Sequence, residues 1–186
     1  MIEHRNVEVL WCGNSRRGNA NGWSYPRAVE KKLIEDTKDG SVLQLFGGRS
    51  RWGTRLDVDA IVRPDVIGDA WLPPFRQDSF DYVILDPPYF HLNAQMKTSL
   101  FRAAGWIARR QVIWFSTVWQ STSGGLRFKH GYLVRVGDSC HVRCLQYFDV
   151  VSKPGPVQHF NRGPAMKYNR WLASPYGLPL VAVGEP

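Results

Sequence analysis

Asp86-Pro87-Pro88-Tyr89 brings three chemical features together in four residues. Two consecutive prolines stiffen the backbone and leave carbonyls with no N–H groups of their own to compete for. A carboxylate and a nearby carbonyl aimed one way form a pair of acceptors, which suits an exocyclic amino group with its two N–H donors. Tyr89 beside them offers a ring on which a flat base can stack. The plainer reading of the tetrapeptide alone is a proline-rich turn with an exposed aspartate. Its place directly after the apolar run Phe80 to Leu85 favours the chemical reading, because that run reads as a buried strand.

The rest of the chain supplies the elements that must hold these residues. A helix is expected after Ser24 and Pro26, with Val29, Leu33 and Ile34 on one apolar face and a stop at Gly40. Val42 to Phe46 reads as a buried strand closed by Gly47-Gly48, and Arg55 to Asp59 as a second strand. Asp81 to Leu85 is a third strand, a helix follows over Asn93 to Arg109, and Gln111 to Thr117 is a fourth strand. Tyr132 to Val136 and Val142 to Val151 flank the turn residues Gly137-Asp138-Ser139 and read as a terminal antiparallel hairpin. Residues 1–22 are expected to be irregular, and residues 152–186 an extended tail in which Pro and Gly recur. The whole, 1–186, reads as one α/β domain with a mostly parallel sheet. In such sheets ligands bind outside the carboxyl ends of the strands. The unusual residues cluster there, at Phe46-Gly47-Gly48, Asp57-Val58-Asp59 and Asp86 to Tyr89.

These motifs resemble the class I S-adenosylmethionine-dependent amino-methyltransferases that modify adenine N6 or cytosine N4. The resemblance covers roughly Trp23 to Trp119 and implies a Rossmann-like fold. It implies that Asp86 and the Pro87 carbonyl grip the target amino group, with Pro88 and Tyr89 completing the catalytic tetrapeptide. Gln44-Leu45-Phe46-Gly47-Gly48-Arg49-Ser50 is similar to the family's glycine-rich cofactor motif, with Gln44 in place of an acid and Ser50 in place of the last glycine. Asp57 matches the acid that holds the cofactor ribose, with Asp59 as fallback. Asp69, Ala70 and Trp71 match the adenine-binding turn, and Tyr25 and Pro26 the segment that contacts the methionine end. Between Phe46 and Arg55 there is too little chain for a full helix at about 1.5 Å per residue, so the first crossover helix must be shortened.

Lys and Arg number 24 against 16 Asp and Glu, a formal net charge of +8 over 186 residues, which suits a polyanionic partner. Phosphate contacts are expected from Arg49 and Arg51, with Arg55 beside them, and from Arg127, Lys129 and His130. A further set in the tail comprises Arg162, Lys167 and Arg170, and His91 would face the substrate. DNA is the first expectation. RNA, at adenine N6 or guanine N2, is the second, and a cofactor-free nucleic-acid-binding relative is the alternative of another class. With three cysteines a disulfide scaffold is not expected and a reducing cytoplasm is favoured. No apolar run is long enough for a membrane span. Cys140, His141 and Cys144 lack a fourth partner for a metal site. No cysteine follows a proline, which argues against covalent chemistry at a ring carbon.

Overall fold

The computed structural model describes residues 7–12, 25–87, 92–117, 119–121, 125–135 and 142–154. Its elements are strand β1 (Val7–Trp11), helix α1 (Arg27–Asp36), strands β2 (Val42–Leu45), β3 (Thr54–Asp57), β4 (Val66–Ile67) and β5 (Phe80–Leu85), helix α2 (Ala94–Ile107), and strands β6 (Ala108–Ser116), β7 (Leu126–Arg135) and β8 (Val142–Val150). The described residues form one eight-stranded sheet of order β1-β7-β8-β6-β5-β2-β3-β4. Every neighbouring pair is parallel except β6–β8 and β7–β8. This is the Rossmann-like α/β fold with its antiparallel hairpin.

Among the described residues one helix covers each face. α2 buries Leu100, Phe101, Ala104 and Ile107 against Leu43, Leu45, Val83, Leu85, Val112 and Trp114. On the opposite face α1 buries Val29 and Leu33 with Val42, Ile84, Ile113, Phe115, Leu145 and Tyr147. Each fully buried large apolar side chain contributes roughly 1.5–3 kcal/mol, so these two seams carry much of the fold. Asn93 starts α2 by accepting from the Met96 N–H at 2.8 Å, a cap whose loss costs about 1 kcal/mol. α1 has no such side-chain cap from its N-cap residue, Pro26; Ser24, the expected cap, lies outside the described residues.

The expected α1 face narrows. Ile34 is 44% exposed, because it follows Leu33 by one residue and is rotated about 100° off the buried stripe. The second strand is Thr54–Asp57, starting and ending earlier than expected, because Asp57 accepts the Asp59 N–H at 3.0 Å and turns the chain there. The N-terminal segment is not wholly irregular. Val7–Trp11 pairs with β7, Val7 opposite Gly131 and Trp11 opposite Arg135. The hairpin's first arm begins at Leu126, not Tyr132; Lys129 and His130 interrupt the apolar run, and a register shift between Phe128 and His130 carries the strand past them. The shortened crossover holds: Phe46 to Gly53 link β2 to β3 with turns and no helix. From β3 to β4 there is only a single 3-10 turn, Ala60–Val62. The tail's described start, through Pro154, packs against Gly105 of α2; the remainder lies outside the described residues. No helix among the described residues is long and apolar enough to cross a membrane.

Candidate active site at the carboxyl ends of β2, β3 and β5

From β2 the chain moves outward through β3 and β4, then returns to the other side of β2 as β5. The order therefore reverses between β2 and β5, the place where doubly wound sheets open a crevice. Asp86 follows β5 at that point and donates its backbone N–H to the Leu45 carbonyl at 3.4 Å. Its side chain is 1% exposed, and Arg143 Nη2 donates to Oδ1 at 3.1 Å. The Arg143 guanidinium also lies 4.0 Å from the centre of the Phe115 ring. Tyr25, just ahead of α1, is buried with its ring 6.0 Å from that of Phe115. Burial first, and then the Asp86 charge, push the Tyr25 hydroxyl well above the ordinary phenol range. Pro87 is buried beside Asp86. Pro88, Tyr89 and His91 lie outside the described residues.

The expected cofactor residues meet along the same edge. Gly48 donates its N–H to Asp57 Oδ2 at 3.1 Å, joining the turn after β2 to the end of β3. Gly47 has no room for a side chain: a Cβ there would approach the Arg55 Cβ to 2.9 Å. Phe46 takes a left-handed backbone, φ 64°, costly for an aromatic residue, and packs edge-on against Trp71 with ring centres 5.3 Å apart. Asp69 Oδ1 accepts the Trp71 N–H at 2.9 Å, folding Asp69, Ala70 and Trp71 into a tight turn beside Phe46. Gln44 is wholly buried, and its Nε2 donates to the Trp52 carbonyl. It thus braces the loop after β2 as a donor.

A polar ligand is accommodated by what this edge leaves unmet. Gln44 Oε1, Ser50 Oγ and Trp52 Nε1, all in β2 and its following loop, and the Tyr25 hydroxyl beside Asp86 are buried without a hydrogen-bond partner among the described residues. Leaving such an atom unmet costs about 1–3 kcal/mol. A carboxylate also offers about four lone-pair positions, so Asp57 can accept more than its two backbone N–H groups. These residues fit a ligand carrying hydroxyl, amino and carboxylate groups, as S-adenosylmethionine does.

The expected phosphate contacts divide. Arg49 and Arg51 are exposed on the loop after β2, at the site edge. Arg55 is not free for phosphate, because its guanidinium is held by Asp65 at 3.1 Å and by the carbonyls of Val62 and Arg63. Arg127 and Lys129 lie at the start of β7, level with Asp149 and the start of β6, so the sheet separates them from Asp86. Lys129 also pairs with Asp149 at 3.4 Å. His130 is stacked on Tyr147, ring centres 4.3 Å apart, as part of the packing under α1. Arg162, Lys167 and Arg170 lie outside the described residues, as do Cys140 and His141.

Sequence reading missed Arg143. The available signal was alternation: Arg143, Leu145 and Tyr147 share one face of β8, and a charge in that inward row calls for a buried partner.

No family model matches the chain, and no curated protein matches its sequence. Solved structures do match in fold. An N-methyltransferase, NodS, from Bradyrhizobium japonicum superposes with a TM-score of 0.51 at 9% identity, covering 68% of this chain and 96% of that one. A candidate RNA methyltransferase from Pyrococcus horikoshii gives 0.50 at 14% identity, covering 67% and 83%. A magnesium protoporphyrin IX methyltransferase from Synechocystis, solved with bound S-adenosylmethionine, gives 0.48 at 10% identity, covering 66% and 76%. The first two superpositions show that the fold is one shared with class I methyltransferases.

Proposed function

We infer that the protein transfers a methyl group from S-adenosylmethionine to an exocyclic amino group of a nucleic-acid base, adenine N6 in DNA first. The observation that carries this reading is the place of Asp86: a buried carboxylate at the end of β5, beside the turn after β2, where the strand order reverses. The methyltransferase fold of the neighbours supports it, as do the unmet polar atoms of Tyr25, Gln44, Ser50 and Trp52.

In this reading Asp57 holds the ribose hydroxyls, while Asp69, Ala70 and Trp71 hold the adenine. Gly47, Gly48 and the Gln44 amide line the approach, and Tyr25 and Pro26 close the methionine end. When bound, the cofactor supplies a methyl group activated on a sulfonium. The protein's own work is placement. The amino nitrogen of a base is a poor nucleophile because its lone pair is delocalised into the ring. Asp86 and the Pro87 carbonyl accept its two hydrogens and hold them out of the ring plane, which frees the lone pair. Tyr89 stacks on the base, which must leave its helix if the substrate is duplex, at a cost of a few kcal/mol. Arg49 and Arg51 meet the phosphates.

The test is incubation with labelled cofactor and separate DNA and RNA pools, followed by nucleoside analysis. N6-methyladenine from the DNA pool is the expected product; label in RNA adenine or guanine moves the assignment to RNA. Asp86→Ala is expected to abolish transfer while cofactor binding persists. Full activity in that variant removes the reading.

A further inference from the structure

We propose that Arg143 is a positioning residue: its guanidinium clamps the Asp86 carboxylate and cancels its charge, so that this strand end receives a neutral amino group in preference to a cationic amine. The proposal rests on the reading of Asp86 as the acceptor of the amino hydrogens and names the substrate class that such an acceptor selects.

Three features support the clamp. The contact is short, 3.1 Å, between side chains that are 12% and 1% exposed. The Phe115 ring, 4.0 Å from the guanidinium carbon, supports the cation on an aromatic surface, which limits where it can move. The ladder fixes its position: Cys144 lies opposite Ser116 and Arg143 opposite Val134, so Arg143 enters the sheet at the carboxyl end of β6, next to β5. The alternation of β8 then turns its side chain to the face shared by Tyr25 and Phe115.

A lone buried carboxylate would attract an ammonium group and favour a protonated amine. Aliphatic amines arrive in that form, since their ordinary pKa is near 10.4. With Arg143 in place the pair is neutral overall, and a second cation meets the guanidinium. The amino group of a base carries no charge and still needs the acceptor. Arg143 of β8 pairs with Asp86, and Tyr25 ahead of α1 feels the charges of Asp86, Arg143 and Glu30. Glu30 raises the same phenol that Asp86 raises, so neither group supplies a competing cation.

The test is a pH titration of the Asp86 carboxyl carbon by NMR in the full chain, with Arg143→Gln and Arg143→Lys beside the wild type. The paired cation is expected to hold the Asp86 midpoint below the value that burial alone would give. R143Q should raise the midpoint by about 1 to 3 pH units, because burial then acts unopposed, and R143K should restore most of the drop. Equal midpoints in wild type and R143Q overturn the clamp. If R143Q does not fold, R143K decides: a compact ammonium in place of the planar guanidinium should leave the midpoint measurably above wild type, and equal midpoints overturn the clamp. The titration uses neither cofactor nor acceptor, so it reads the clamp even if no polymer is methylated. That second result would remove the functional reading and the selectivity with it. Where transfer is measurable, R143Q should lose rate on the base and move the acid limb of its pH profile upward. It should also gain at least several-fold in rate on n-butylamine relative to the base; an unchanged ratio overturns the selectivity.

Discussion

Gly48 and Asp57 are joined by a 3.1 Å hydrogen bond from backbone N–H to carboxylate. The same carboxylate that would hold a ribose therefore also holds the loop that replaces the first crossover helix. Asp57→Ala should weaken S-adenosylmethionine binding at least tenfold by calorimetry and lower the melting temperature. Asp57→Asn, which keeps one acceptor oxygen, should recover much of the thermal stability and little of the binding. Equal recovery of both would make Asp57 a structural residue only.

Gly125 sits at φ +84°, and a Cβ there would lie 2.3 Å from the Ser152 carbonyl oxygen. Gly125 also accepts the N–H groups of Val151 and Ser152, which joins the start of β7 to the end of β8. Gly125→Ala should cost about 2 kcal/mol or more, combining left-handed strain with overpacking, and a urea titration reads this as a lowered midpoint. A midpoint equal to wild type would contradict the geometry.

Asp81 anchors β5 to β6 and to the start of β2. It pairs with Arg109 at 3.0 Å and accepts from the Ser41 N–H and hydroxyl at 2.8 Å. Arg109 first, then Ser41, hold its carboxyl far below the ordinary range. The folded value lies below the unfolded one, so this stabilisation is complete above about pH 4 and is lost as pH falls through the folded value. Asp81→Asn should flatten the decline of stability below pH 4, measured by thermal melts across acidic buffers. A slope equal to wild type would exclude Asp81 as a contributor.

Arg49 and Arg51 share the site edge, whereas Arg127 and Lys129 occupy the opposite one. Charge reversal of the first pair should weaken nucleic-acid binding and flatten its salt dependence by about 1 to 2 in log–log slope, near 0.9 per duplex phosphate contact. Reversal of the second pair should leave that slope unchanged. A filter-binding salt series separates the two, and the reverse pattern would move the binding surface to the other edge.

The strands around the site were legible because their signals are local. β2 and β5 are short apolar runs closed by Gly-Gly and Pro-Pro, and α2 declares its start through Asn93. β1 gave no such signal: its alternate residues Val7, Val9 and Trp11 are exposed, Val9 at 69%, and its partner strand is remote in the chain. The cofactor edge was legible by position but not in its wiring, since nothing local says that Gln44 turns its amide to the Trp52 carbonyl. Arg143 was hidden for the same reason as β1, because its partner Asp86 becomes a neighbour only once β8 inserts between β6 and β7.

The pairing of Val7 with Gly131 also governs assembly. During synthesis β1 leaves the ribosome long before β7 exists, so its apolar stripe waits unpaired while most of the sheet is made. Parallel pairing at such separation is slow, and unpaired strands are aggregation-prone while they wait. Closing this edge is therefore a late folding event, one that a holdase chaperone would be well placed to guard.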